Sequence, residues 1–267
     1  MKKIRLDKYL ADMRAGTRSE VRQMIRKGRV SVNGIPVRTP EYKTDPCSDK
    51  VELDGTAVNY IQTEYWMLNK PKGVVSATED LREKTVLDLL PDAARKDLFP
   101  VGRLDKDTTG LLLLTNDGAL AHALLSPKRH VDKKYEAVVT GRPGKREQEL
   151  FACGLEIGDE KPTLPAVLEL EGTLDPQKEG ENEACAACRS QEEKTLAVVR
   201  ITIREGRYHQ IKRMFEAVGM KVVELKRLTM GPLVLDDTLA EGEARLLTQD
   251  EVDALKQPQK GTDREEK

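Results

Sequence analysis

The stretch Val101–Gly118, VGRLDKDTTGLLLLTNDG, sets Arg103, Asp105 and Asp107 on a polar loop ahead of four leucines. An arbitrary loop aspartate most often solvates a turn, but polar groups on a loop anchored to a rigid core element are where chemistry is commonly placed. Two more polar clusters stand elsewhere: Lys134-Tyr135, and Arg207, His209, Gln210, Lys212 and Arg213 within REGRYHQIKRMF. The chain has no glycine loop of the P-loop or dinucleotide type. Its three histidines, His122, His130 and His209, lack ligand spacing with one another, and His122 is expected to be packed among alanines and leucines. No metal and no cofactor are therefore expected, which leaves chemistry by a carboxylate acting as nucleophile or general base. To stay ionised in a closed pocket such a carboxylate needs a nearby cation, and Lys212 and Arg213 are the candidates. Bases beside a helix N-terminus also make a phosphate site.

The elements that must position these groups follow from pattern. Leu111–Leu114 is a short apolar run between Gly110 and Asn116-Asp117-Gly118, as expected of a strand buried on both faces. Strands are expected over 64–68, 133–139, 166–170, 196–203 and 221–227, with short extended pieces at 233–235 and 244–247. Asn69-Lys70-Pro71-Lys72-Gly73 reads as a basic turn. Thr85 caps a short helix through Leu90, and further helices are expected over 119–125, 147–152, from Gly206 to 218, and over 249–255. Strands outnumber helices and follow one another through turns. An α+β fold with a mixed, mainly antiparallel sheet fits, rather than a doubly wound one. Residues 171–194, with 7 acids, 3 bases and little apolar content, read as a mobile acidic hairpin insert. Residues 253–267 read as a charged tail.

A smaller αβ module precedes this domain. Leu6, Tyr9, Leu10 and Met13 share a helical face, Gly16-Thr17 breaks that helix, and a second runs over 18–27 with Thr17 or Ser19 as its N-cap. Val30 and Val32, then Asn33-Gly34, then Ile35 and Val37 signal a hairpin, and Val51–Leu53 a third strand ending at Asp54-Gly55. Residues 1–43 hold 12 Lys/Arg against 4 Asp/Glu, a net +8, although the whole chain of 267 residues carries a formal net charge of only -1. Arg18, Arg22, Arg26 and Arg29 recur three or four residues apart, so they line one face and repel one another, a cost that a phosphate backbone would relieve. No run approaches a membrane span, and the N-terminus places charges where a signal peptide needs an apolar core. A cytoplasmic protein is expected. Cys47, Cys153, Cys185 and Cys188 are too few and scattered for a disulfide framework, and the lone C-x-x-C lacks the second pair of a zinc site.

RLDKYLA followed by TRSEVRQMIRKGRVSVNG resembles the S-four-type RNA-binding domain, over residues 1–58, with a linker at 59–63. The resemblance implies RNA contacts by Arg18, Arg22, Arg26, Lys27, Arg29 and Asn33. GRLDKDTTGLLLLTNDG is similar to the signature of the RsuA/RluA pseudouridine synthases, and NKPKG, the KKY strand and GRYHQIKRM match that family's other motifs in order, over residues 64–252. An S-four-type domain in front is characteristic of the RsuA branch. EGRYHQIKRMF with SPKRHVDKKY looks most like the enzymes acting on small-subunit 16S rRNA. Large-subunit relatives have Asn-Arg where this chain has Tyr208-His209, and the 171–194 insert departs from the compact 16S pattern.

The resemblance implies that Asp105 is the catalytic carboxylate, that Tyr135 stacks on the target base and takes part in proton transfer, and that Lys212 is the basic partner of Asp105. It implies substrate contacts by Arg103, Arg207, His209, Gln210 and Arg213, with Arg103 also ordering the loop and Asp107 shaping it. The reaction breaks the base–sugar bond, turns the uracil and rejoins it through its fifth carbon, after the base leaves the helical stack. Asp105 could attack the anomeric carbon or the uracil's sixth carbon, or deprotonate the sugar. The implied partner is ribosomal RNA, most simply 16S rRNA or a small-subunit assembly intermediate, met by a monomer. The rival readings are a 23S rRNA enzyme of the same family, a non-catalytic rRNA-binding module, and metal-assisted phosphoryl chemistry at Asp105 and Asp107.

Overall fold

In a computed structural model, residues 3–126, 129, 131–174 and 195–257 are described. The alternating strands sort their side chains as a pleated sheet requires. Lys133–Thr140 and Leu196–Ile203 bury every second residue, and Thr109–Thr115 is buried throughout. The strands join in the order Val167–Leu174, Leu196–Ile203, Lys133–Thr140, Val222–Met230, Thr109–Thr115, Tyr65–Lys70, Ala244–Leu246. Leu233–Val234 and Phe99–Pro100 pair beside this path. Every pairing in this sheet is antiparallel except that of Val222–Met230 with Thr109–Thr115. The mixed, mainly antiparallel α+β architecture is as expected.

That parallel seam fixes where the Asp105 loop enters the sheet. Gly110 pairs with Arg227, at φ +96°, and a Cβ there would stand 2.3 Å from the Arg227 carbonyl oxygen. Only glycine permits so close a backbone approach. The four leucines then divide between two cores. Leu112 and Leu114 join Tyr135, Phe151, Ile211, Met214 and Phe215 on one face, while Leu111 and Leu113 join Leu120, Leu124 and Leu255 on the other. The helices Lys145–Cys153 and Gln210–Ala217 meet on the first face through Phe151 and Phe215, whose ring centroids are 5.0 Å apart.

In the N-terminal module, helices Leu6–Asp12 and Arg18–Arg26 enclose their own core of Leu6, Tyr9, Leu10, Val21, Ile25, Val30, Val32 and Val51. Thr17 caps the second helix through a capping box with Glu20. Asn33-Gly34 and Asp54-Gly55 all take positive φ, which gives the expected tight hairpins. Thr56–Ala57 is a further strand, and the segment after it is packed: Tyr60 lies against Tyr9, donates to Asp12 and carries Arg95 over its ring. Arg14 reaches across to the Ala93 carbonyl at 2.7 Å.

Several expectations need correction. The strand Tyr65–Lys70 runs through Asn69 and Lys70, so the basic turn is only Pro71-Lys72-Gly73. Residues 171–174 belong to the paired edge strand rather than to an insert. The helix expected from Gly206 starts at Gln210, because His209 adopts a left-handed conformation (φ 48°, ψ 33°). His122 is exposed on its helix, not packed. The rest of the insert, with Cys185 and Cys188, together with His130 and residues 258–267, lies outside the described residues. No helix among the described residues is long and apolar enough to cross a membrane.

Candidate active site

The loop between Leu104 and Thr109 and the start of helix Gln210–Ala217 come together in space. Between them lies a cleft of about 410 Å³ lined by Lys72, Gly73, Asp105, Lys106, Asp107, His209 and Lys212. The Asp105 side chain is 30% exposed, with His209 Nε2 3.5 Å from one oxygen and Lys212 Nζ 3.5 Å from the other. Lys212 is shared: its Nζ also donates to Asp107 at 2.6 and 2.8 Å. That hydrogen bond, outweighing the effect of burial, holds the Asp107 carboxyl below the usual carboxylate range. Asp107 therefore does more than shape a turn; it holds the ammonium within reach of Asp105. The same ammonium stands where a metal bridging the two carboxylates would have to sit, which argues against the phosphoryl-transfer reading.

A residue that sequence reasoning had put in a turn organises this loop from below. Lys70 is fully buried, and its Nζ donates to the carbonyls of Asp105 (3.1 Å), Thr108 (3.0 Å), Pro71 (3.1 Å) and, at 3.4 Å, Lys106. Burial pushes its ammonium down to about 8, against the opposing pull of Asp107 and Asp105. Arg103, expected to order the loop, is exposed and donates no hydrogen bond among the described residues. The only signal for Lys70 was a lysine ending an otherwise apolar strand segment.

The other expected substrate contacts divide. His209 faces the cleft. Arg207, Gln210 and Arg213 are instead committed to the loop's own construction. Arg207 donates to the carbonyls of Lys161 and Pro162 and to Glu205; Gln210 is buried against Glu205 and accepts from the Arg207 N–H; Arg213 binds Asp159 and the Ile157 and Tyr208 carbonyls. Tyr135 is 7% exposed, within the same core as Leu104 and Ile211, and is absent from the cleft lining.

In the N-terminal module the arginine stripe is partly neutralised. Asp7 is fully buried and is met by Arg5, by Arg22 at 2.9 Å and by Arg18 at 3.8 Å. Burial alone would raise its pKa; the guanidinium groups of Arg5 and Arg22 outweigh that and hold it low. Arg29 is paired with Asp54, and Asn33 is bound to Asp49 and the Lys50 N–H. Arg26 and Lys27 are exposed and have no side-chain partner among the described residues.

The model for RNA pseudouridylate synthases matches residues 64–217, spanning the Asp105 loop, the Tyr135 strand and the Lys212 helix. The chain belongs to the RNA pseudouridylate synthase family. An S4 domain matches residues 4–49, giving this pseudouridine synthase the RsuA-type arrangement. An uncharacterized RNA pseudouridine synthase of Bacillus subtilis is 44% identical over 96% of this chain and 100% of its own length. The ribosomal small subunit pseudouridine synthase A of Escherichia coli K12 is 40% identical over 93% of this chain and 98% of its own. A crystal structure of a pseudouridylate synthase superposes with a TM-score of 0.59 at 36% identity, covering 94% of this chain and 99% of that one. The enzyme is thus an isomerase, and the Asp105 cleft is the place in its catalytic domain where a carboxylate, an ammonium and an imidazole converge.

Proposed function

We propose that this pseudouridine synthase isomerises a uridine of ribosomal RNA, namely 16S rRNA of the small subunit, at the position numbered 516. The reading rests on one observation above others: Asp105 is a partly exposed carboxylate held between Lys212 and His209 in the lining of the cleft. The small-subunit target is supported by the names of the Escherichia coli and related bacterial enzymes. The enzyme works in the cytoplasm as a monomer, on 16S rRNA or a small-subunit assembly intermediate.

In this reading the target uridine leaves the stack at a cost of a few kcal/mol, offset by the cationic cleft and by the module carrying Arg26 and Lys27. Asp105 is the reacting carboxylate, needing no cofactor. Lys212, steadied by Asp107, sets a positive charge beside it at 3.5 Å. The base–sugar bond breaks, and the uracil rotates within the cleft. The fifth carbon then bonds to the sugar, its proton leaves to solvent, and the ring nitrogen freed from the sugar takes up a proton from solvent, so the product is an isomer of uridine. Tyr135 meets the base only when the cleft widens, since its ring is covered here. The test is to incubate the protein with unmodified 16S and 23S rRNA and map pseudouridine. One product site in 16S rRNA, absent with Asp105→Asn, is expected. Product only in 23S rRNA would overturn the small-subunit target, and binding without product would leave a non-catalytic module.

A further inference from the structure

Beside the cleft lies an exposed tyrosine that the isomerisation as described does not use. Tyr208 is 76% exposed, and its ring is stacked on His209 with centroids 3.9 Å apart and planes inclined by 17°. His209 in turn lines the cleft, with Nε2 3.5 Å from Asp105. One face of the Tyr208 ring is therefore covered by a residue of the cleft, and the other is open.

The chain invests in this arrangement. His209 sits in the left-handed region at φ 48°, a conformation few non-glycine residues adopt. Such strain persists only where the surroundings over-determine it. The surroundings do so: Arg207 is tied to the Lys161 and Pro162 carbonyls at 2.6 and 2.7 Å, its N–H is tied to Gln210, and Arg213 holds the Tyr208 carbonyl at 3.1 Å. The result is a rigid, solvent-facing ring at the rim of a cleft bearing Lys72, Lys106 and Lys212, with Arg103 exposed nearby in the chain. Those lysines are paired with Glu224, Glu83 and Asp107, so the ring rather than a free cation is the group left open to the RNA, and a flat aromatic face suits any nucleobase because every base has a π-face.

Taking the Asp105 cleft as the uridine site, we propose that the outer face of Tyr208 is a stacking platform for the nucleobase adjacent to the uridine being isomerised. The ligand class is an unpaired purine or pyrimidine of the same RNA strand. The platform holds the strand open beside the flipped uridine and favours targets whose neighbour is unpaired.

The test is a cycle of protein and RNA changes on a 16S rRNA fragment containing the product uridine, read as kcat/KM for pseudouridine formation. Tyr208→Ala is expected to lower kcat/KM by roughly 5- to 150-fold, the range for loss of one base–aromatic stack. Tyr208→Phe keeps the face and the rate. An abasic nucleotide on one side of the uridine should cost the wild type a similar factor and cost Tyr208→Ala nothing further. Because Tyr208 buries little, the thermal melt of Tyr208→Ala should match that of the wild type. An unaffected Tyr208→Ala, or losses that multiply at both neighbours, overturns the platform while leaving the uridine site intact. No product from the wild type on any rRNA overturns both.

Discussion

Lys70→Met replaces a buried ammonium by an apolar chain of similar length, and two opposing effects set its outcome. Lowering the lysine from 10.5 to about 8 means that its surroundings, burial less the pull of Asp107 and Asp105, disfavour its charge by about 3 kcal/mol net, a penalty the methionine does not carry. Against that, four carbonyls lose a donor. Two of them keep another, since Asp105 O also accepts from the Thr108 N–H and Lys106 O from the Gly73 N–H. The remaining two, at Pro71 and Thr108, cost about 1–3 kcal/mol each when left bare. The terms nearly cancel, so Lys70→Met should change folding stability by no more than about 3 kcal/mol. Activity responds differently, because the carbonyls that repel one another without the ammonium belong to the Asp105 loop. A displacement of about 1 Å there costs on the order of 100-fold in kcat. The assay is release of tritium from RNA labelled at the fifth carbon of uridine, with urea denaturation in parallel. The same ammonium gives a pH signature. Its folded pKa lies below its unfolded one, so its penalty is complete below pH 8 and fades between about 8 and 10.5. Stability from this group therefore rises with pH in that window, while activity falls as the loop loses its cation. Lys133, also pushed down to about 8 by burial and by Arg227, adds a similar stability rise that Lys70→Met leaves in place. Near-wild-type kcat in Lys70→Met, with a wild-type activity profile flat from pH 7 to 10, would refute the loop-clamp argument.

Gly110→Ala forces a Cβ against the Arg227 backbone at positive φ, and should cost on the order of 3 kcal/mol or more in urea denaturation; a loss below about 1 kcal/mol would show that the parallel seam yields easily. In the N-terminal module, Arg26→Ala should weaken rRNA binding and reduce its salt slope by about 1 without moving the thermal melt. Arg22→Ala should in addition lose about 1–2 kcal/mol of stability, because it removes a charge-assisted hydrogen bond from buried Asp7; an unchanged melt would show that Arg5 alone satisfies that carboxylate.

What the sequence revealed was what local pattern determines. The leucine run declares a strand buried on both sides, Asn33-Gly34 and Asp54-Gly55 declare their turns, and Thr17 with Glu20 declares a helix start. What stayed hidden depends on distant backbone. Lys70 reads as a surface charge until the carbonyls of residues 105–108 fold over it. REGRYHQIKRMF reads as a basic helix, yet three of its polar side chains (Arg207, Gln210 and Arg213) are bound to Glu205 or to the 157–162 segment. The arginine stripe was visible, but its neutralisation was not, because Asp7 lies on the other helix. Residues 171–174 looked like part of the acidic insert because Glu171 and Gly172 dilute their pattern, and only pairing with 196–198 makes them a strand.

The edge hairpin has a practical side. Its strands pair Leu174 with Leu196 at one end and Val167 with Thr202 at the other, and the loop carrying Tyr208 and His209 departs from the second end. At about 3.3 Å per residue, the first end lies roughly 20 Å along the strand from the chemistry. Leu174 and Leu196 thus anchor the sheet edge at the end remote from the cleft. A substitution at the Leu174–Leu196 pair therefore acts on the edge of the sheet, at the opposite end of the pair from the loop that carries Tyr208 and His209.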